Sequence, residues 1–367
     1  MITVPCYLRA AVVGMILASL SVANDSPGVV TTPAWGPARP VCDHHLWQEP
    51  GGLDTRGPYE RGKVPVVLIH GLWGNPHQWD QTVEYLEADP ELRERYQFWV
   101  FRYSSGDAIP FSAHSLRQSL RRARQQFDPD GTDAAFNRIV VVGHSLGGIL
   151  AKMMVQGSGS RLWQTVSTRP IDEVAGPPRD CQLLRQVFCY EPVPEVRRIV
   201  FIATPHRGSP LASGPLRGIG IRLCSRPSHF RQARATLLAS NEPDLFAPRF
   251  RGEIPTSVAE LASEHPLLLA LCDAGIDPSV RSHSIIADLR DPPRPGATDG
   301  IVPYSSSHLE GAATELLVHG HHICLEEPAV IREVRRILSE HSGIDLASRT
   351  DHDVLVRDGL ESRQEKD

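Results

Sequence analysis

The sequence predicts an α/β fold with a mostly parallel central sheet flanked by helices. Short β-branched runs alternate with longer stretches of helical spacing, the pattern of strands joined by helical crossovers. One such run, Ile139-Val140-Val141-Val142, passes straight into Gly143-His144-Ser145-Leu146-Gly147. A second, residues 64–69, ends in His70-Gly71. Sheets of this kind hold their ligands beyond the carboxyl ends of the strands, so both endings fall where chemistry is expected.

The amino terminus carries one arginine, Arg9, ahead of an apolar stretch over 10–23 that closes on Ser21-Val22-Ala23. That small-x-small ending marks a signal peptide over 1–23, cleaved behind Ala23, and hence an exported chain. The stretch is short for a membrane span, although an uncleaved anchor is the other reading. Residues 24–60, rich in Pro and Gly, are expected as an extended arm. The main domain follows over 61–342, with insertions at 157–195 and 210–280, and the charged tail 343–367 is expected to fray.

Within the main domain, 64–69 is the first strand. Gly71 then permits a turn that aims the amide of Leu72 at a nearby nucleophile. Residues 76–88 have helical character, 97–102 read as a strand, and 112–127 as an arginine-rich amphipathic helix. Its Arg117, Arg121, Arg122 and Arg124 are expected to form a solvated face, and His77 a surface position at a helix start. A formal charge of −5 argues against a nucleic-acid partner.

The next strand leads to Ser145. A serine displayed for attack must sit on a turn too tight for side chains beside it, and Gly143 and Gly147 supply the room. The apolar segment 149–155 continues as the buried helix, and the amide of Leu146 gives a second donor for an oxyanion. After the polar, proline-spotted insertion 157–195, residues 198–203 form a strand that ends in Thr204-Pro205-His206-Arg207-Gly208-Ser209. His206 either lines an acyl pocket or, as favoured, satisfies a loop carbonyl. In the second insertion, 266–271 has the apolarity of a helix, either capping a pocket or packing into the core.

Residues 282–289 alternate like a strand, and the loop beyond them holds Thr298-Asp299-Gly300. An acid in such a turn can reach a neighbouring loop, so Asp299 is preferred over Asp273, Asp288 and Asp291, with plain Asp-Gly turn chemistry as the alternative. The last strand, 314–318, is followed by His319, His321 and His322 and by a helix over 329–338. His-x-His-His lacks the i, i+4 spacing and the nearby carboxylate of a hydrolytic zinc site, so no metal is expected.

His70-Gly71-Leu72-Trp73-Gly74, Gly143-His144-Ser145-Leu146-Gly147-Gly148 and the Phe201-to-Ser209 string together resemble the α/β-hydrolase superfamily. Within it they resemble the lipase and serine-esterase branch that includes lipases similar to GPI-inositol deacylases. The likeness covers 60–342, less well across the two insertions. It implies the α/β-hydrolase fold with a cap insertion, and a triad in the chain order Ser, Asp or Glu, His. On that pattern Ser145 is the nucleophile, Asp299 the acid, and Leu72 and Leu146 the oxyanion donors. Similar hydrolases carry the base just ahead of a Pro-initiated final helix, which favours His322, with His321 as the alternative base.

The resemblance implies a secreted serine hydrolase that cleaves carboxylic esters through an acyl-enzyme, without cofactor. Its partner would be a small-molecule or lipid ester, with transient contact to a lipid surface. An acyltransferase or amidase with the same triad, or a silent hydrolase fold used as a binding module, are the alternatives. The cysteines beyond residue 23 (Cys42, Cys181, Cys189, Cys224, Cys272 and Cys324) are even in number, which suits disulfides in an exported chain. Cys181 with Cys189 is the first pairing expected, against a set of reduced thiols.

Overall fold

The structure, a computed structural model, describes residues 52–212, 228–252, 256–263 and 265–344. The signal peptide expected over 1–23, the arm up to residue 51, Cys42, Cys224 and the tail from residue 345 lie outside the described residues.

Seven strands form one sheet: β1 (Gly52–Asp54), β2 (Val64–Ile69), β3 (Tyr96–Arg102), β4 (Ile139–His144), β5 (Val196–Ile202), β6 (Arg281–Asp288) and β7 (Thr314–His319). Their spatial order is β1-β3-β2-β4-β5-β6-β7. Every adjacent pair is parallel except β1 on β3, where Leu53 lies opposite Phe101 in antiparallel register. The sheet therefore begins inside the segment expected as an arm. Three residues are too few to show an alternating pattern in sequence.

The helices are α1 (Asp80–Ala88), α2 (Pro90–Arg95), α3 (Ile109–Phe127), α4 (Leu146–Lys152), α5 (Pro178–Phe188), α6 (Ser228–Ser240), α7 (Pro266–Asp273) and α8 (Pro328–Ser342), with several single turns between them. Successive strand side chains point to opposite faces, which explains two cores. Val67, Ile69, Trp99, Phe101 and Val141 join α3, α4, α5 and α7 on one face. Val66, Leu68, Phe98, Val100 and Val142 join α1, α2 and α8 on the other. Because both faces are covered, β2 and β4 are buried along their whole length, and every residue is apolar up to the closing Gly143-His144 of β4. The polar alternation of β6 does not mark a solvent face, since Ser282, His283 and Ser284 are all buried.

Both insertions contribute to the core on the α3 face of the sheet. The first buries Leu162, Trp163, Leu184, Val187 and Phe188, and the second adds Leu237, Leu245, Phe246 and Phe250 to the same core. Trp163 joins them, with its ring 6.2 Å from Phe188 and 6.3 Å from Phe246. Helix α7 packs into this core through Leu267, Leu268 and Leu271 and exposes Leu269.

Two expectations are corrected here. Arg117 does not belong to a solvated face; it is 1% exposed. Its guanidinium lies 3.6 Å over the Tyr190 ring and Nη2 donates to Gln186 O at 3.3 Å. The long stem lies inside the core with its head on an aromatic face, although Nη1 has no hydrogen-bond partner. Cys181 and Cys189 are both free thiols. The first lies within α5 and the second at its C-cap. Eight helical residues rise about 12 Å, whereas a disulfide needs Cα atoms within about 7 Å. No helix among the described residues is long and apolar enough to cross a membrane.

From β2 the chain moves outward to β3, then returns past β2 to β4. This reversal opens a crevice between the carboxyl ends of β2 and β4, the position at which such sheets bind ligands.

Candidate active site

Strand β4 delivers Ser145 to that crevice. Its backbone holds φ 52° and ψ −122°, a conformation that L-residues rarely adopt. The turn is forced by close approach: a Cβ on Gly143 would lie 2.5 Å from Gly147 O, and one on Gly147 would lie 2.5 Å from His70 O. Ser145 N donates to Ile202 O at 2.9 Å, which fastens the turn to β5, and α4 starts with Leu146. Trp73 and Ala203, in the loops after β2 and β5, also have positive φ, at 56° and 48°. Strained residues thus gather at the ends of three adjacent strands.

The loop after β7 carries the three histidines, and it sends them in different directions. His319 Nδ1 pairs with Arg290 O at 3.1 Å, and His321 is exposed. His322 turns inward. Its Nε2 lies 2.8 Å from Ser145 Oγ, and its Nδ1 lies 2.7 Å from Asp299 Oδ2. A carboxylate only accepts, so Nδ1 carries the proton and Nε2 is free to accept from the hydroxyl.

Asp299 is 2% exposed. Its second oxygen accepts from the amides of Ile301 at 2.8 Å and Val302 at 2.6 Å. The Asp-Gly turn therefore supplies donors that hold the carboxyl group in place, beyond its turn chemistry. Asp288, by contrast, is chelated by the guanidinium of Arg290 at 3.0–3.2 Å and is not part of this constellation.

Both amides expected as oxyanion donors belong to backbone next to the serine. Leu146 is the first residue of α4, so its N–H has no acceptor within the helix. Gly71 comes so close that a Cβ there would lie 3.1 Å from Ser145 Cβ, which brings the backbone entering Leu72 against the serine. That loop is braced by residues absent from the expected site. His70 stacks on Tyr103 with centroids 4.3 Å apart, Tyr103 Oη donates to His70 O at 2.9 Å, and Ser105 Oγ accepts from Trp73 N at 2.9 Å. Burial pushes the His70 imidazole down to about 4, so it remains a neutral brace. Its place directly after a strand is the only sequence signal for it.

His206 is buried edge-on against Phe201 at 4.7 Å, and neither ring nitrogen has a hydrogen-bond partner. The ring makes no bond to a loop carbonyl; it packs against an aromatic neighbour, and the residue bonds through its backbone, whose N–H donates to Thr204 O at 3.0 Å and whose oxygen accepts from Cys272 Sγ at 3.2 Å. His77 is exposed at a helix start, where it pairs with Asp80 at 2.9 Å.

A hydroxyl, an imidazole and a carboxyl aligned in this way can pass a proton from oxygen to nitrogen while the developing positive charge is stabilised. A sequence model of the alpha/beta hydrolase family matches residues 66–361. Among solved structures, the chain is similar to the mature Bacillus licheniformis lipase BlEst2 at 15% identity, with 78% of this chain and 96% of that chain covered and a TM-score of 0.43. It is similar to a gene product of Listeria innocua at 15% identity, covering 76% and 94%, with a TM-score of 0.40. It is also similar to the metagenomic carboxyl esterase MGS0156 at 17% identity, covering 76% of each chain, with a TM-score of 0.40. No curated protein sequence matches the chain.

Proposed function

The chain belongs to the alpha/beta hydrolase family, and from that premise we propose that it is a serine hydrolase acting on carboxylic esters. The observation that carries this reading is the relay from Ser145 through His322 to Asp299, with contacts of 2.8 and 2.7 Å.

In the proposed mechanism, Ser145 Oγ attacks the ester carbonyl carbon as its proton moves to His322 Nε2. Asp299 holds the ring in the required tautomer and stabilises the imidazolium. The carbonyl oxygen, now negative, is received by the amides of Leu72 and Leu146. The tetrahedral intermediate collapses, the imidazolium returns the proton to the leaving alcohol, and an acyl-enzyme remains. Water then gives its proton to the same nitrogen and attacks the acyl carbon, releasing acid and free Ser145.

The strained turn at Ser145 supports a chemical role, since such conformations concentrate at functional sites. Ser145→Ala should lower turnover of a p-nitrophenyl ester on the order of 10^6-fold and abolish labelling by a fluorophosphonate. Undiminished hydrolysis in that variant rules the reading out. Wild-type protein that reacts with the fluorophosphonate and, in its unlabelled form, transfers acyl groups to added alcohols or amines faster than to water would instead identify an acyltransferase.

A further inference from the structure

His144 fills the variable position of the Gly-x-Ser-x-Gly turn, where nothing about exposing a serine demands an imidazole. Its side chain leaves the end of β4 and is 4% exposed. Nε2 lies 2.9 Å from the carbonyl oxygen of His322, and because a carbonyl only accepts, Nε2 carries the proton. The two imidazoles lie 5.2 Å apart, inclined by 44°. On its other side the ring abuts the loop after β2: a Cβ on Gly71 would fall 2.9 Å from His144 Nδ1. One side chain, bonded through the backbone to Ser145, thus contacts the residue carrying the base and lines the loop leading to Leu72.

The base needs such a contact. His322 sits in an irregular loop beyond β7, where no strand ladder fixes its peptide. Its own N–H donates to Asp299 O at 3.1 Å and its ring Nδ1 to Asp299 Oδ2 at 2.7 Å. Both restraints come from one residue, which leaves the His322 peptide able to pivot about it. The bond from His144 supplies a third point from a different element. Burial, reinforced by the neighbouring His322, holds the His144 imidazole down to about 3, so no second cation faces the imidazolium formed in turnover.

We infer that His144 is a positioning residue, whose Nε2–H holds the His322 carbonyl and so keeps the base aligned on Ser145. This rests on the reading of Ser145 and His322 as nucleophile and base. The side chain bonds to the His322 backbone and not to Ser145 Oγ or the His322 ring nitrogens, so its effect should appear in the rate of the chemical step.

The test uses three substitutions in the full chain. His144→Leu removes the donor, His144→Asn keeps a donor but is too short to place it at Nε2, and His144→Gln can return an N–H to that point. Rates are divided by the fraction of protein that a fluorophosphonate labels at completion, which removes any misfolded material. His144→Leu and His144→Asn should lower kcat for a p-nitrophenyl ester by about 10- to 100-fold, with KM nearly unchanged, because a small misplacement of a reacting group costs rate. His144→Gln should recover most of that loss. The downfield proton resonance of the His322 Nδ1–H should broaden in the Leu and Asn variants and persist with Gln.

Wild-type kcat in His144→Leu overturns the inference. So does equal loss in all three variants together with lowered melting temperatures, since packing alone would then account for the residue. Neither result touches the nucleophile: if Ser145→Ala, assayed alongside, retains activity, the functional reading itself fails.

Discussion

At Ser145 the backbone is held at φ 52° by its surroundings, with its own N–H tied to β5 and Gly147 pressed against the end of β2. The hydroxyl is therefore displayed by the fold, and the work of ordering the imidazole falls on other residues. Asp299 does most of it. With Oδ1 engaged by two amides, Oδ2 has a single geometry in which to meet His322. Asp299→Asn keeps the size but presents an N–H where the ring needs an acceptor, or flips the imidazole to the wrong tautomer. It should lower kcat on the order of 10^4-fold with the fold intact, as measured by ester turnover beside a thermal melt. At this scale, the pattern of residues pointed to Ser145 and Asp299 directly, because glycine spacing and turn chemistry are local. The choice of His322 over His321 rested on resemblance, since which of two adjacent histidines turns inward depends on loop contacts far away in sequence. His144 escaped notice because its partner lies 178 residues away.

The elements meet tightly where α4 starts against β2. A methyl group on Gly147 would enter the carbonyl oxygens of Ile69 and His70, backbone atoms at the end of central strand β2 and just beyond it that cannot rotate aside. Gly147→Ala should destabilise the protein by about 1–3 kcal/mol through overpacking, seen as a melting temperature lowered by roughly 2–4 °C per kcal/mol. An unchanged melt would mean that strand and helix can separate at little cost. The same contact explains which elements were legible. Strands β2 and β4 are covered on both faces, so their apolar runs stand out, and α3 and α8 are long enough to show a stripe. Helix α2 has six residues and one buried apolar side chain, Leu92, too little for a period to emerge. Helix α5 was hidden by Pro177, Pro178 and its charges, although Leu184, Val187 and Phe188 anchor it. Arg117 misled for a related reason: residue type signals charge, whereas only the packed structure supplies the Tyr190 ring that accepts it.

At the scale of the whole molecule, burial keeps several of the described histidines neutral. His70, His114, His283 and His341 are each pushed down to about 4 and His144 to about 3, with desolvation the main cause, and burial also holds His206 well below its ordinary value. Arg198 shows why the neutral form is needed: its guanidinium donates to His283 Nε2 at 2.9 Å and to His341 Nδ1 at 3.2 Å, both of which must offer lone pairs. An unfolded chain protonates such groups near pH 6.5, so below that pH the unfolded state binds more protons than the folded one. Stability is therefore fully present above about pH 6.5 and is lost as pH falls towards 4, with each proton of difference contributing about 1.4 kcal/mol per pH unit to the slope. Asp107 and Glu260, raised by burial to about 6 and about 8, act in the opposite sense, but they are fewer. Melting temperatures should fall steadily from pH 6.5 to 4 at constant ionic strength, and a flat profile would contradict the buried neutral histidines. The sheet also ends in a way that bears on how the chain can be shortened. Because Gly52–Asp54 covers the outer side of β3, a protein started at Arg61 would present bare amides and carbonyls beside Phe101, an open invitation for copies to stitch together edge to edge. Those three residues serve the molecule as a selvedge, and the safe place to cut lies upstream of them.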